Sequence, residues 1–425
     1  DEDDLLDCDT NNININPKIN KSDIKSVLDN ISVSKSPLII AGYGVRISNS
    51  VEQLLKFSEK TSIPILTTWN GDDIIDSNHK LFMGRPGAFG SRGPNFMIQN
   101  SDYILCIGTR LPFMVTGYNS HDFGRNAKIF MVDIDNNELN KNNLNLYKAI
   151  HADSKEFLDL CLLNLKNKKY IKPNNWLSFC NRLNRKYPVI LPNYKKQENT
   201  VNSYYFTEIL SKNICSDDVV VTDMGLSFVG THQSLKLNGK QRLLTNSGFA
   251  PMGWGLPASI GACIAKNKKK IICITGDGGL MMNIQELATI MHNKLPIKIF
   301  IFNNGGYLTI KQTQQLGFKG HLMGSNSESG ISFPDFTVIG KAHNISTTRI
   351  KNHTNLNSRI KIFLNKDGPG ICELILDNEQ EQIPKAINKR DKFGKTTPTK
   401  FEDMYPFLDK KELQSNLNYL DYEKL

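Results

Sequence analysis

ITGDGGLMMNIQELATIMHNKLPIKIFIFNNGGY, residues 274–307, places a polar, glycine-rich turn after each of two apolar runs. IICIT closes on GDGG, and LPIKIFIF closes on NNGG. Between them, LMMNIQELATIMHN carries apolar residues at 280, 284, 287, 290 and 291, which predicts one helix with a single buried face. Strand, turn, helix and strand at these lengths imply a right-handed βαβ unit with parallel neighbours. Parallel strands bring both turns to one carboxyl edge, where open α/β sheets bind ligands. Asp277 and Asn304, 27 residues apart, are therefore expected to face each other.

The alternation extends outward from this unit. DDVVVTDMG, RLLTNSG, GWGLPASIGACIAK and GICELILD continue it through 201–385, and PLIIAG, SVEQLLKFSEKT, IPILTTW, NFMIQNS, YILCIG and AKIFMVDID form a separate series within 31–165. The expected fold class is α/β, with two doubly wound parallel-sheet domains. The basic, proline-bearing stretch 166–200 carries one amphipathic helical pattern and reads as a connector, and 386–425 reads as a C-terminal tail. Residues 1–30 are acidic, then Asn-rich, and lack an initiator Met. They read as a linker, so the chain is expected to begin inside a longer protein.

A chain of 425 residues can bury two or three cores. Its net charge of +10 comes largely from scattered Lys, with short runs at KNKKYIK (166–172) and KNKKK (266–270). These read as solvated faces, and no nucleic-acid partner is expected. Eight cysteines occur singly, without a C-x-x-C pair, and several lie in apolar strands. That pattern argues for buried, reduced thiols in a cytoplasmic compartment and against a zinc site or disulfide framework. No stretch approaches the ~20 apolar residues of a membrane span, and nothing at the start has the composition of a signal peptide.

The chemistry concentrates at the two turns. One carboxylate, Asp277, with one amide oxygen, Asn304, suits a hard divalent cation such as Mg²⁺, which takes oxygen ligands and usually keeps substrate phosphate in its shell. Exposed N–H groups of Gly278 and Gly279 are suited to phosphate oxygens. A second glycine loop, AGYGVRIS (41–48), follows a strand and opens a helix, but lacks the third glycine of a dinucleotide fingerprint. A nicotinamide-dependent oxidoreductase using that loop is a competing function; it leaves GDG and NN without a role.

G-D-G followed by a double Asn resembles the cofactor motif of thiamine-diphosphate-dependent enzymes, and LMMNIQELATIMHNKLPIKIFIFNN is similar to acetolactate synthase large subunits. The resemblance covers roughly residues 35–415. It implies that Asp277, Asn304 and the main-chain carbonyl of Gly306 hold Mg²⁺, which in turn holds the cofactor diphosphate. TNSGFAPMGWGLPASIGA (245–262) resembles the segment in which an apolar side chain, Met252, props the cofactor in a bent conformation while a carbonyl, that of Ala250, accepts from its aminopyrimidine. MGLSF (224–228) falls where the family has a G-Q-H diphosphate contact, so Gly225, Leu226 and Ser227 are candidates, with Leu and Ser in place of Gln and His.

The family's activity implies a 2-oxo acid such as pyruvate as substrate, decarboxylation, and either release of an aldehyde or carboligation to a second carbonyl compound. Its active sites lie between subunits, which implies a homodimer or homotetramer. FAD in the first domain stays open, since AGYGV, GRPGAFGSRGPN, GTRL and DIDNNE occupy comparable positions. The family's N-terminal pyrimidine-binding domain, with its activating Glu, has no counterpart in these residues, so the chain alone is expected to be inactive. The residues are also compatible with a simple 2-oxo acid decarboxylase or C–C lyase of the same family, and with a noncatalytic or regulatory chain that keeps the cofactor-binding half. The polar stretch 315–330 reads either as a loop that closes over the site or as a plain surface loop.

Overall fold

The computed structural model describes residues 17, 19–165, 174–390 and 396–419. Five strands, β1 (Pro37–Ala41), β2 (Ile65–Thr67), β3 (Tyr103–Ile107), β4 (Lys128–Asp133) and β5 (Leu146–His151), form a parallel sheet in the order β2-β1-β3-β4-β5. Six more, β6 (Val219–Thr222), β7 (Arg242–Leu244), β8 (Ile271–Gly276), β9 (Ile297–Asn303), β10 (Ser346–Ile350) and β11 (Gly370–Ile375), form a second parallel sheet in the order β10-β11-β9-β8-β6-β7. Both have the α/β architecture expected.

Strand composition follows from burial on both faces. Leu38 and Ile40 enter one core of the first sheet, while Ile39 and Ala41 enter the other. In the second sheet Ile272, Ile274, Phe300 and Phe302 share one core, and Ile271, Cys273, Ile299 and Ile301 share the opposite one. Period-two alternation between two apolar layers is why these strands read as continuous apolar runs.

Two expectations about the rest of the chain, the linker and the tail, are corrected, and the helical pattern of the connector is seen as a helix. Within the supposed linker 1–30 begins a helix, Lys21–Val33, that buries Ile24, Val27, Leu28 and Ile31 against the first sheet. Their i, i+3, i+4, i+7 spacing is an amphipathic face set in an otherwise polar sequence. The connector contains a helix, Asn174–Lys186, whose Trp176, Phe179, Cys180 and Leu183 fill the opposite core of that sheet; Trp176 Nε1 donates to the carbonyl of Pro37 at 2.9 Å. The supposed tail returns to the first domain, burying Phe401 and Tyr419 there. Arg92 Nη1 donates to the carbonyl of Met404 at 3.1 Å, and Arg125 Nη2 lies 2.9 Å from Glu402 Oε1. The KNKKYIK run lies outside the described residues.

Buried charge joins the two domains. Asp72 and Asp73, both 1% exposed, follow β2. Asp72 meets His232 Nδ1, on a helix of the second domain, and Arg85 Nε at 2.8 Å. Asp73 meets Arg46 at 2.8 Å and Arg242 at 2.6 Å. Six of the described cysteines are buried, and Cys215 is exposed. Burial pushes the thiol of Cys273 up to about 12, far from a nucleophilic thiolate. Among the described residues no helix is long and apolar enough to cross a membrane.

Candidate cofactor site

β8 and β9 pair in register from Ile271 opposite Ile297 to Gly276 opposite Phe302, so the GDG and NN turns leave the sheet side by side. Asp277 is 2% exposed. Its Oδ1 accepts from Gly278 N at 2.7 Å, and its Oδ2 accepts from the N–H groups of Asn304, Gly305 and Gly306 at 3.1, 2.8 and 3.2 Å. Burial outweighs those four donors and raises the carboxyl to about 6.

The two asparagines divide their work. Asn303 Nδ2 donates to Glu373 Oε1 at 2.7 Å, and Glu373 also holds Arg349 at 2.5 Å. Asn304 lines the cleft, and its Oδ1 is buried without a hydrogen-bond partner. A buried acceptor of this kind calls for a ligand, water or ion. Among the described residues no three His, Cys, Asp or Glu side chains converge as metal ligands. A cation at this point would rest on one carboxylate, one amide oxygen and the main chain, which is the oxygen-only set that Mg²⁺ accepts.

The glycines set how closely backbone and side chains approach. A Cβ on Gly278 would lie 2.1 Å from the Tyr307 ring, one on Gly279 2.5 Å from Asp223 Oδ2, and one on Gly306 2.2 Å from the carbonyl oxygen of Ser325. Part of the stretch 315–330 is thereby tied down: Ser325 O accepts from Tyr307 N at 2.9 Å, and residues 315–317 end a helix, Leu308–Gly317.

The segment predicted as one helix is two, Asp277–Met282 and Glu286–His292. Asn283, at φ −136°, breaks it, and its Nδ2 donates to the carbonyl of Gly253 at 2.8 Å. Asp223, at the end of β6, accepts from Gly253 N at 2.9 Å on Oδ1 and from Thr275 Oγ1 at 2.7 Å on Oδ2. Asp223 and Asn283 thus fix the turn that carries Ala250, at φ +51°, and Met252, which is 41% exposed. Neither was singled out from sequence; an Asp one residue past a buried strand was the available signal.

All ten cofactor candidates, Gly225, Leu226, Ser227, Ala250, Met252, Asp277, Gly278, Gly279, Asn304 and Gly306, line one cleft of about 550 Å³. Two have their side chains engaged elsewhere. Leu226 buries its side chain in the second domain's core, and Ser227 Oγ donates to the carbonyl of Met224 at 2.8 Å. Gly225, at φ +73°, caps the helix Leu226–Ser234. Trp69, Phe89, Phe113 and Met114 of the first domain form an apolar wall of the same cleft, which sequence reasoning missed because they come from three separate segments. The AGYGV loop packs elsewhere: a Cβ on Gly42 or Gly44 would lie 2.2 or 2.6 Å from the backbone of Gly108, so contact between the two loops accounts for both glycines.

Comparison with known proteins agrees with this geometry. Residues 223–374 match the C-terminal TPP binding domain of thiamine pyrophosphate enzymes, and residues 24–160 match their central domain. The chain is 34% identical over 367 residues to a probable acetolactate synthase large subunit of Methanococcus aeolicus, covering 83% of this chain and 60% of that protein. It is 30% identical over 370 residues to the acetolactate synthase large subunit of Lactococcus lactis, covering 86% and 62%. For the large subunit of isozyme 1 from Escherichia coli the identity is 29% over 369 residues, covering 87% and 63%. The chain belongs to the thiamine pyrophosphate enzymes. It resembles acetolactate synthase large subunits and spans about three-fifths of their length.

Proposed function

We propose that the chain supplies the central and the diphosphate- and metal-binding domains of an enzyme that decarboxylates a 2-oxo acid, such as pyruvate, and joins the remaining fragment to a second carbonyl compound. The observation that carries the reading is the buried, unpartnered Asn304 Oδ1 beside the carboxylate of Asp277 in a cleft of about 550 Å³.

In this reading Asp277, Asn304 and the main-chain carbonyl of Gly306 hold Mg²⁺. The N–H group of Gly279, with those at Gly225, Leu226 and Ser227, would meet the diphosphate, while that of Gly278 is held by Asp277 Oδ1. When bound, thiamine diphosphate supplies the electron sink for loss of carbon dioxide. Met252 would support the cofactor's rings, the carbonyl of Ala250 would accept from its amino group, and Trp69, Phe89, Phe113 and Met114 would supply an apolar wall that excludes water. The residues assigned here hold the cofactor, and in this reading the activating Glu is supplied from outside them. Met252 and Phe113, both partly exposed, line this cleft, and Phe249, 92% exposed, precedes Ala250 in the chain; these are the apolar side chains that a second copy would cover in a homodimer or higher oligomer.

Calorimetric titration of thiamine diphosphate into the full-length protein tests the reading. Binding that requires Mg²⁺ and is lost with EDTA is the expected result, and a weaker signal from this chain alone is expected as well. Absence of binding in both would overturn it.

A further inference from the structure

Gln382 lies seven residues past β11 and is 1% exposed. Its Nε2 donates to Thr309 Oγ1 at 2.8 Å, while its Oε1 is buried without a hydrogen-bond partner. Both residues line the cofactor cleft. Thr309 Oγ1 is 3.6 Å from the point where Gly225 would carry a Cβ. Thr309 stands in the first turn of Leu308–Gly317, three residues beyond Gly306, and Gly225 caps Leu226–Ser234. The starts of two helices, of ten and nine residues, therefore meet at this polar pair.

Leaving a buried acceptor unmet costs free energy unless a ligand or water answers it. A half-turn of the Gln382 carboxamide exchanges its ends: Thr309 then donates to Oε1, and the NH₂ group faces the cleft. In either setting the pair has a donor hydrogen to spare, on the Thr309 hydroxyl in one and on the amide in the other. Two helix starts favour an anion at the same place. Among the described lining residues on either side of this point, Leu226 and Ser227 offer no free side-chain donor. Gly306, three residues before Thr309, donates its N–H to Asp277 Oδ2 at 3.2 Å, and Asn304 lies two residues before Gly306.

We infer that Gln382 and Thr309 are positioning residues for the diphosphate of the cofactor, supplying from two distant segments the side-chain hydrogen bonds that Leu226 and Ser227 cannot make. The assignment rests on the proposed function, since it takes thiamine diphosphate as the ligand of the cleft. It makes an uncharged donor, reached by a strand that ends elsewhere in the sheet, part of the anion's grip.

The test uses the full-length protein with Mg²⁺, titrated calorimetrically with thiamine diphosphate and separately with inorganic diphosphate, which has no rings. The variants are Gln382→Leu, Gln382→Glu, Thr309→Val and Thr309→Ser, each checked for unchanged ligand-free thermal unfolding. Gln382→Leu and Thr309→Val are expected to weaken both ligands about tenfold or more, as loss of a hydrogen bond to a charged group does. Gln382→Glu is expected to weaken them further, because a carboxylate faces the anion, and Thr309→Ser to restore near-normal affinity. Wild-type affinity in the Leu and Val variants overturns the assignment alone, as does a Glu variant that binds as tightly as Gln, since the group met would then be a donor. If the unsubstituted protein binds neither ligand, the proposed function falls together with the assignment.

Discussion

The N–H of Asn304 donates to Asp277 Oδ2 at 3.1 Å, while the side-chain oxygen of Asn304 points to no protein partner. Main chain and side chain of one residue thus serve different ends: the first shapes the turn around the carboxylate, and the second is left for a ligand. Asp277→Ala is expected to abolish Mg²⁺-dependent binding of thiamine diphosphate in the full-length protein, measured by calorimetry.

The neighbouring asparagines should separate cleanly. Asn304→Ala is expected to lower Mg²⁺-dependent affinity about a hundredfold or more, at least the upper end of what losing an outer-shell partner costs, with little change in unfolding. Asn303→Ala leaves the buried Glu373 Oε1 without its 2.7 Å donor. That variant should lose about 1–3 kcal/mol of stability in denaturant titration and keep most of its metal affinity.

Gly278→Ala and Gly279→Ala drive a methyl group to 2.1 Å from the Tyr307 ring and 2.5 Å from Asp223 Oδ2. Each is expected to destabilise by about 1–3 kcal/mol and to open the turn. Gly276→Ala is the control, because nothing lies within 4 Å of its Cβ and its φ is −87°. Circular-dichroism melts of the three variants distinguish the positions.

Asp72→Ala strips the buried His232 and Arg85 of their shared carboxylate. Removing one partner of a buried ionic group costs about 3–5 kcal/mol, and the loss should appear as early separation of the two domains on chemical denaturation. Lys56→Ala, which breaks only an exposed pair with Glu52, should leave the transition unchanged.

Lys298 sits within β9 at 2% exposure, and its ammonium donates to the carbonyls of Lys366 and Gly368. Burial, reinforced by Lys270, lowers it to about 8. Between about pH 8 and the ordinary lysine value the folded state holds fewer protons than the unfolded chain, so stability rises with pH across that window. Below pH 8 both states are protonated and the cost of burying the charge is felt in full. Lys298→Met is expected to flatten the dependence of unfolding on pH between about 8 and 10.

Met252→Ala, at a half-exposed position, should leave stability nearly untouched. In the full-length protein it is expected to lower turnover more than cofactor affinity, since it removes a prop for the rings and not an anchor for the diphosphate. Unchanged turnover at saturating cofactor would count against that role.

The α/β class, the parallel pairing of β8 with β9 and the convergence of Asp277 with Asn304 were legible in the chain, because apolar runs and glycine turns report locally which faces are buried and where strands end. The amphipathic pattern of the helix at 174–186 is legible too, although not its place in the core, whereas that of the helix at 21–33 is diluted by Asn and Lys and resembles a linker. Only the tertiary structure separated Asn303 from Asn304. Identical side chains on successive residues leave a strand in opposite directions, and what each meets, Glu373 or the open cleft, depends on which strand lies alongside. Asp223, Trp69, Phe113 and Gln382 reach the same cleft from segments far apart in sequence. Their roles follow from strand order and domain docking, which no local pattern of residues encodes.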